Sequence, residues 1–324
     1  MLAVTLPRFG GPEVLTLADI PQPEVGPKDV LIAVAGAGLN RADLMQREGH
    51  YPPPVGAPDW PGMELSGTVL DIGSAVSRWK AGDRVCALVS GGGYAERAVV
   101  DEGLLLSVPD NLDLVAAAGI PEAACTAYAN VYLTAGLEPG KSLLVQGGSS
   151  GIGSMAIQLA VALGNPVFAT AGSAAKVDFC ESLGAVGINY RDADFAEIIA
   201  HKMDGRGVDV VLDMVGGDYL ARNVEVLSTG GTVALISNLS GSEGRFDIGV
   251  LMRKRGRIVA STLRARPLEE RVAIVAAVER HVMPLFARGV AHPVIDTVFA
   301  LADAAEAHRR MESGDHIGKI LLSV

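Results

Sequence analysis

Along the first third of the chain, short apolar runs recur between turn residues. Val30-Leu-Ile-Ala-Val, Gly67-Thr-Val-Leu-Asp-Ile and Arg84-Val-Cys-Ala-Leu read as strands, with turns at Gly73-Ser74, Gly82-Asp83 and Gly91-Gly92-Gly93. Short strands so punctuated predict a barrel-like β unit from Leu2 to about Val108. The pattern then changes. Ser142-Leu-Leu-Val-Gln is a continuous apolar strand, followed by a glycine-rich turn and a segment in which Ile152, Met155, Ala156, Leu159, Ala160 and Leu163 share one helical face. Strands and helical segments alternate from there: Val167-Phe-Ala-Thr-Ala, Gly187-Ile-Asn-Tyr, Val208-Asp-Val-Val-Leu-Asp, Thr232-Val-Ala-Leu-Ile and Arg257-Ile-Val-Ala-Ser. Apolar strands alternating with helices predict a doubly wound α/β unit, a parallel sheet covered on both faces. After about Leu263 come a helix from Leu268 to Ala287, a strand from Ile295 to Phe299, a helix from Ala302 to Met311 and a last strand from Lys319 to Val324. These pieces do not continue the alternation and are expected to rejoin the first unit. The division is therefore residues 1–122 with 263–324, and 123–262 between them.

Composition narrows the class. Hydrophobic residues make up 49% and charged residues 20% of 324 positions, a globular balance with room for two cores. No apolar run is long enough to span a bilayer, and the first residues lack a basic region followed by an apolar stretch. Cys86, Cys125 and Cys180 are scattered and odd in number, which argues against a disulfide framework. A cytoplasmic protein is expected. A formal net charge of -10 disfavours nucleic acid, which needs a surplus of Lys and Arg.

The strongest chemical signal lies at Gln146-Gly147-Gly148-Ser149-Ser150-Gly151-Ile152-Gly153, where strand, turn and helix meet. Against the dinucleotide fingerprint, Gly148 is expected to make the tight turn and Gly153 to permit close helix–strand packing. Ser150 stands at the second fingerprint position, with Gly151 beside it giving room. Amides at a helix start, aided by the helix dipole, suit a pyrophosphate. The next strand bears on which dinucleotide. NAD sites usually carry Asp or Glu about twenty residues after the glycines to hold the ribose hydroxyls. Here the strand runs out as Thr170-Ala171-Gly172-Ser173-Ala174-Ala175-Lys176, with no acid. Gly172 leaves room, Ser173 can hydrogen-bond and Lys176 attracts a 2′-phosphate, so NADPH is the expected cofactor. Tyr190, ending the following strand, is a further candidate on the adenosine side, with an edge tyrosine as the alternative. Ser237 and Asn238 follow a strand's carboxyl end, where ligands bind in open α/β sheets.

Leu39-Asn-Arg-Ala-Asp-Leu-Met-Gln-Arg, Gly49-His-Tyr-Pro-Pro-Pro, Pro61-Gly-Met-Glu-Leu-Ser-Gly, Gly151-Ile-Gly, Ala171-Gly-Ser and Ile317-Gly-Lys-Ile resemble the zinc-free quinone oxidoreductase branch of the medium-chain dehydrogenase/reductase superfamily. The resemblance covers essentially the whole chain. It implies a β-rich, GroES-like catalytic domain built from both chain ends, a Rossmann domain between, NADPH, and a homodimer joined through the Rossmann sheets. Asn40 stands where the superfamily's alcohol dehydrogenases place a zinc-binding Cys, and Met63 where they place His; neither is a competent zinc ligand here, and no Cys spacing suits a structural zinc. No metal is therefore expected.

By the same resemblance Asn40, Asp43 and Tyr51 line the acceptor site, Thr126 contacts the cofactor, and Leu263, Arg264 and Lys319 close over it. Each has a plainer alternative. Asn40 can cap the following helix, Asp43 can face that helix's dipole, Tyr51 can pack under Pro52-Pro53-Pro54, and Thr126 can bond its own helix backbone. Without a metal, alcohol oxidation loses its means of lowering the hydroxyl pKa. Quinones accept hydride with modest help, so a small planar quinone is the expected substrate. Two alternatives stand: reduction of an enoyl thioester or 2-alkenal, and a catalytically idle, crystallin-like or RNA-binding role.

Overall fold

The computed structural model describes residues 1–324 and divides them into two compact units, Met1–Cys125 with Leu263–Val324, and Thr126–Thr262. The boundary falls inside a helix, Pro121–Tyr128, rather than in a linker.

The first unit carries β1 (Leu2–Thr5), β2 (Thr16–Asp19), β3 (Asp29–Gly38), α1 (Arg41–Arg47), β4 (Glu64–Ile72), β5 (Arg84–Leu88), β6 (Arg97–Asp101), β7 (Leu105–Ser107) and the start of α2 (Pro121–Tyr128). β3 runs four residues beyond the predicted apolar run, through Ala35-Gly36-Ala37-Gly38. The small residues are there because other chain lies against them: a Cβ on Gly38 would stand 2.4 Å from Glu64 Oε1 and 2.7 Å from the Ala118 carbonyl.

The second unit holds β8 (Leu143–Val145), α3 (Gly151–Ala162), β9 (Val167–Ala171), α4 (Ala174–Ser182), β10 (Val186–Asn189), α5 (Phe195–Lys202), β11 (Val208–Asp213), α6 (Leu220–Glu225), β12 (Leu227–Leu235), α7 (Ile248–Lys254) and β13 (Arg257–Ala260). Its six strands are all parallel, in the order β10-β9-β8-β11-β12-β13. This is the Rossmann order, reversing direction of growth between β8 and β11. Leu144, Phe168, Ile188 and Val211 from the sheet pack with Phe195 and Ile199 of α5, all nearly inaccessible to water.

The chain then returns to the first unit as α8 (Leu268–His281), α9 (Met283–Ala287), β14 (Ile295–Ala300), α10 (Ala304–Glu312) and β15 (Lys319–Ser323). The single helix expected from Leu268 to Ala287 is broken at Val282. Pro284, in the first turn of α9, has no amide to donate and its ring crowds the preceding turn. β14 and β15 complete a seven-stranded sheet, β14-β15-β3-β4-β5-β7 with β6 also on β3, so the last strand lies beside β3. That pairing puts Lys319, at the head of β15, within reach of Asn40, just past the end of β3.

Candidate functional site

The second unit gathers one group of candidate residues at the carboxyl edge of its parallel sheet. Ser150 is the N-cap of α3, in extended conformation, and its Oγ accepts the Gly153 amide at 3.0 Å. Its carbonyl takes the Ser154 amide, so the two remaining first-turn amides, of Gly151 and Ile152, have no acceptor within the helix. The tight turn lies at Gly147, with φ of 74°, and not at Gly148 as expected. Gly148 is small for packing instead: a Cβ there would meet Ala169 Cβ at 2.7 Å and Cys180 Sγ at 2.8 Å. Gly153 does allow the close approach expected of it, since a Cβ would fall 2.3 Å from the Gly147 carbonyl oxygen.

At the tip of β9, Gly172 faces Tyr190, whose hydroxyl would lie 2.7 Å from an added Cβ. Ser173 caps α4 by accepting the Lys176 amide at 3.4 Å, and no acidic residue occupies that first turn. Tyr190 is 40% exposed and stacks edge-on against Tyr219. Ser237 and Asn238 follow β12, with Asn238 Cα 2.8 Å from where Gly216 would carry a Cβ. Met214, just past β11, accepts the Ser150 hydroxyl on its sulfur. Gly148, Ser150–Gly153, Gly172, Ser173, Lys176, Tyr190, Ser237 and Asn238 therefore share one sheet edge.

Beneath this edge runs a buried polar chain that sequence reasoning missed. Thr170 Oγ1 accepts the Gly147 amide at 3.1 Å and donates to Gln146 Oε1 at 2.7 Å; Gln146 Nε2 donates to Asn223, which donates to Asp213 at 2.9 Å. Asp213 also takes the amides of Val215 and Gly216. Burial pushes its carboxyl up, and these donors oppose the shift. The chain locks the glycine turn to β9 and β11. The available signal was polar Gln146 and Asp213 closing otherwise apolar strands.

In the first unit, Asn40 precedes α1, but its side chain does not cap the helix. Its Nδ2 donates to Glu64 Oε1 at 2.9 Å and its Oδ1 accepts Lys319 Nζ at 2.8 Å. Lys319 also donates to the Leu39 carbonyl at 2.6 Å and pairs with Glu64 at 2.5 Å. An ammonium has three N–H bonds, and all three are committed inside the unit. Lys319, expected to close over the cofactor, is therefore engaged by Leu39, Asn40 and Glu64 and holds the latter two in place. Asp43, expected to line the acceptor site, is likewise engaged within the unit. It is wholly buried, its two oxygens accept the amides of Asn40 at 2.8 Å and Gly62 at 3.0 Å, and it touches no solvent from which an acceptor could come. Burial raises its carboxyl to about 6 against the pull of those amides, Arg264 and Lys319.

Tyr51 is half-buried and lies under a guanidinium, with Arg264 Cζ 5.3 Å from its ring centre and Arg264 bonded to its carbonyl at 3.3 Å. No hydrogen bond within the protein engages its hydroxyl. Burial and Glu122 raise that phenol, and Arg264 pulls the other way. Thr126, in α2, and Leu263, in the loop before α8, are both buried.

Residues 26–110 match the alcohol dehydrogenase GroES-like domain, and residues 183–322 match the model described as zinc-binding dehydrogenase. The human quinone oxidoreductase is 32% identical over 328 residues, covering 99% of this chain and 97% of that protein. The chain belongs to the medium-chain dehydrogenase/reductase superfamily. Among solved structures, an NAD-dependent alcohol dehydrogenase is 31% identical with a TM-score of 0.89, each chain covered in full. The Escherichia coli quinone oxidoreductase complexed with NADPH is 27% identical with a TM-score of 0.87, again with both chains fully covered. The protein is accordingly an oxidoreductase with a nicotinamide cofactor, and the glycine cradle and free helix amides fit the pyrophosphate of such a cofactor.

Zinc fits less well than the second domain description suggests. Asn40 and Met63 replace the nitrogen and sulfur donors of a catalytic site, and Glu64 is already saturated, its Oε2 accepting the Glu122 amide at 2.9 Å. Moreover, a Lys319 ammonium occupies the space next to these groups, supplying there the positive charge a metal would bring.

Proposed function

We propose that this protein is an NADPH-dependent, zinc-independent quinone reductase, acting on a small planar quinone. The observation that carries the cofactor choice is the acid-free tip of β9, where Tyr190 lies against Gly172 and Ser173 and Lys176 follow at the start of α4. A carboxylate there would repel a 2′-phosphate, whereas a lysine and two hydroxyls favour it. Replacing Lys176 by Ala is expected to raise the NADPH KM roughly tenfold, the loss of one partly screened charge-assisted contact. The NADH KM should stay within a factor of two. Equal effects on both, in steady-state assays, would remove the assigned role.

The bound cofactor supplies a hydride. The chain's own part is to hold the acceptor and exclude water while an electron-poor ring takes that hydride without a Lewis acid. Tyr51, with an unengaged hydroxyl and a half-buried ring, suits stacking on a flat acceptor and donating to its oxygen. Because Asn40 and Glu64 are held by Lys319 rather than by a metal, exhaustive chelation is expected to leave kcat unchanged. Stoichiometric zinc by elemental analysis, with activity lost on its removal, would reverse this. The same free phenol supports a second reading, protonation beside the carbonyl of an enoyl thioester or 2-alkenal. NADPH oxidation against naphthoquinones, phenanthrenequinone, 2-alkenals and enoyl-CoAs separates the two, and oxidation by none of them points to the idle protein.

The parallel sheet ends at β13, an edge strand, near which Ile248 and Met252 of α7 are 65% and 72% exposed. An unpaired edge with apolar neighbours suits a second copy, in keeping with a homodimer. No helix is long and apolar enough to cross a membrane; three unpaired cysteines suit a cytoplasmic reading, and the acidic chain disfavours nucleic acid.

A further inference from the structure

Two arginines in this chain are almost wholly buried, and they are treated differently. Arg47, 1% exposed, meets two carboxylates, Glu312 at 2.5 Å and Glu48 at 2.9 Å. Arg264, 6% exposed, meets none within 4.0 Å. Its Nε, Nη1 and Nη2 donate to neutral oxygens only: the Ser90 carbonyl at 2.7 Å, the Tyr51 carbonyl at 3.3 Å and Gln46 Oε1 at 2.6 Å. Arg271, partly buried in the first turns of α8, adds a second cation. It donates to the Ser90 hydroxyl, its Nε is buried without any partner, and it too has no carboxylate within salt-bridge distance. Ser90 thus has a guanidinium on its carbonyl and another on its side chain, with Tyr51 under the first. Even the solvent-facing arginines nearby are paired, Arg266 with Glu270 at 3.5 Å and Arg78 with Glu279 at 2.7 Å.

A desolvated charge without a counterion is costly, and a fold keeps one where a ligand completes it. A guanidinium has five N–H bonds. Arg264 uses three and Arg271 one, so donors remain on both. We propose that Arg264 and Arg271, meeting at Ser90 beside Tyr51, form a recognition site for an anionic group, a carboxylate or sulfonate carried by the acceptor. Burial draws both guanidinium pKa values down, the direction an anion would relieve. The assignment of the acceptor to this place rests on the quinone reading above; the anion site itself does not.

The test is calorimetric titration with naphthalene-2-sulfonate and with neutral naphthalene-2-carboxamide, neither of which turns over. Wild type should bind the sulfonate at least tenfold tighter, the scale of one charge-assisted contact. Arg271→Gln should erase the preference and Arg271→Lys should restore part of it. Alongside, the ratio of kcat/KM for 1,4-naphthoquinone-2-sulfonate to that for 1,4-naphthoquinone should fall at least tenfold in Arg271→Gln, a comparison in which the intrinsic reactivity of each quinone cancels. Equal sulfonate affinity in wild type and a folded Arg271→Gln would overturn the proposal. If sulfonate binding follows Arg271 while neither quinone oxidises NADPH, the quinone reading fails and the anion site stands.

Discussion

Lys319→Met is expected to lower the melting temperature by roughly 10 °C. The side chain is buried and its ammonium is the counter-charge of a carboxylate that is itself inaccessible to water. Methionine fills similar volume but leaves the buried Glu64 without its counter-charge and strips a donor from Asn40 Oδ1 and from the Leu39 carbonyl. Breaking one side of a buried ion pair costs about 3–5 kcal/mol, and each kcal/mol moves the midpoint of a domain this size by about 2–4 °C. Replacing both partners, Lys319→Met with Glu64→Gln, should recover a good part of the loss, because the uncompensated charge goes. Calorimetry on wild type and the two variants decides it: a midpoint within 2 °C of wild type for Lys319→Met means the pair is not holding β4 and β15 together there.

Gly153→Ala should weaken NADPH on the order of 100-fold while the chain still folds. The added methyl would stand 2.3 Å from the Gly147 carbonyl oxygen and 2.8 Å from Gly148 Cα, both backbone atoms that cannot swing aside. The loop must shift, at about 1–3 kcal/mol of strain, and the shift turns the Gly151 and Ile152 amides away from a common anion. The parallel sheet does not depend on that amide fan, so far-ultraviolet circular dichroism should match wild type. Fluorescence titration with NADPH measures the effect. An unchanged Kd would mean that the pyrophosphate is held elsewhere.

Much of the second unit could be read directly. β9 and β11 match the expected strands residue for residue, because strands buried on both faces are mostly apolar along their length. The loop glycines were legible for the same local reason, although the turn itself sits one residue earlier, at Gly147 rather than Gly148. The first unit was less legible. β3 looked shorter than it is because Gly36 and Gly38 read as breaks, when they are close approaches to Val115 and Glu64, residues far along the chain. The helix after Leu268 looked continuous because helical periodicity survives a proline that the backbone does not.

What the amino-acid order determined unaided was whatever depends on neighbours in the chain: the alternation of strand and helix, the glycine turn at a helix start, and the missing acid at the tip of β9. Tertiary structure alone decided how charges are matched. Lys319 was expected at the cofactor and Asp43 at the acceptor, yet both are spent inside the first unit on Asn40, Glu64 and Gly62. Arg264, by contrast, has no carboxylate within salt-bridge distance, and its direct partners are the neutral oxygens of Ser90, Tyr51 and Gln46. Electrostatic energy depends on distance through space and on access to water, and neither can be computed from separation along a chain.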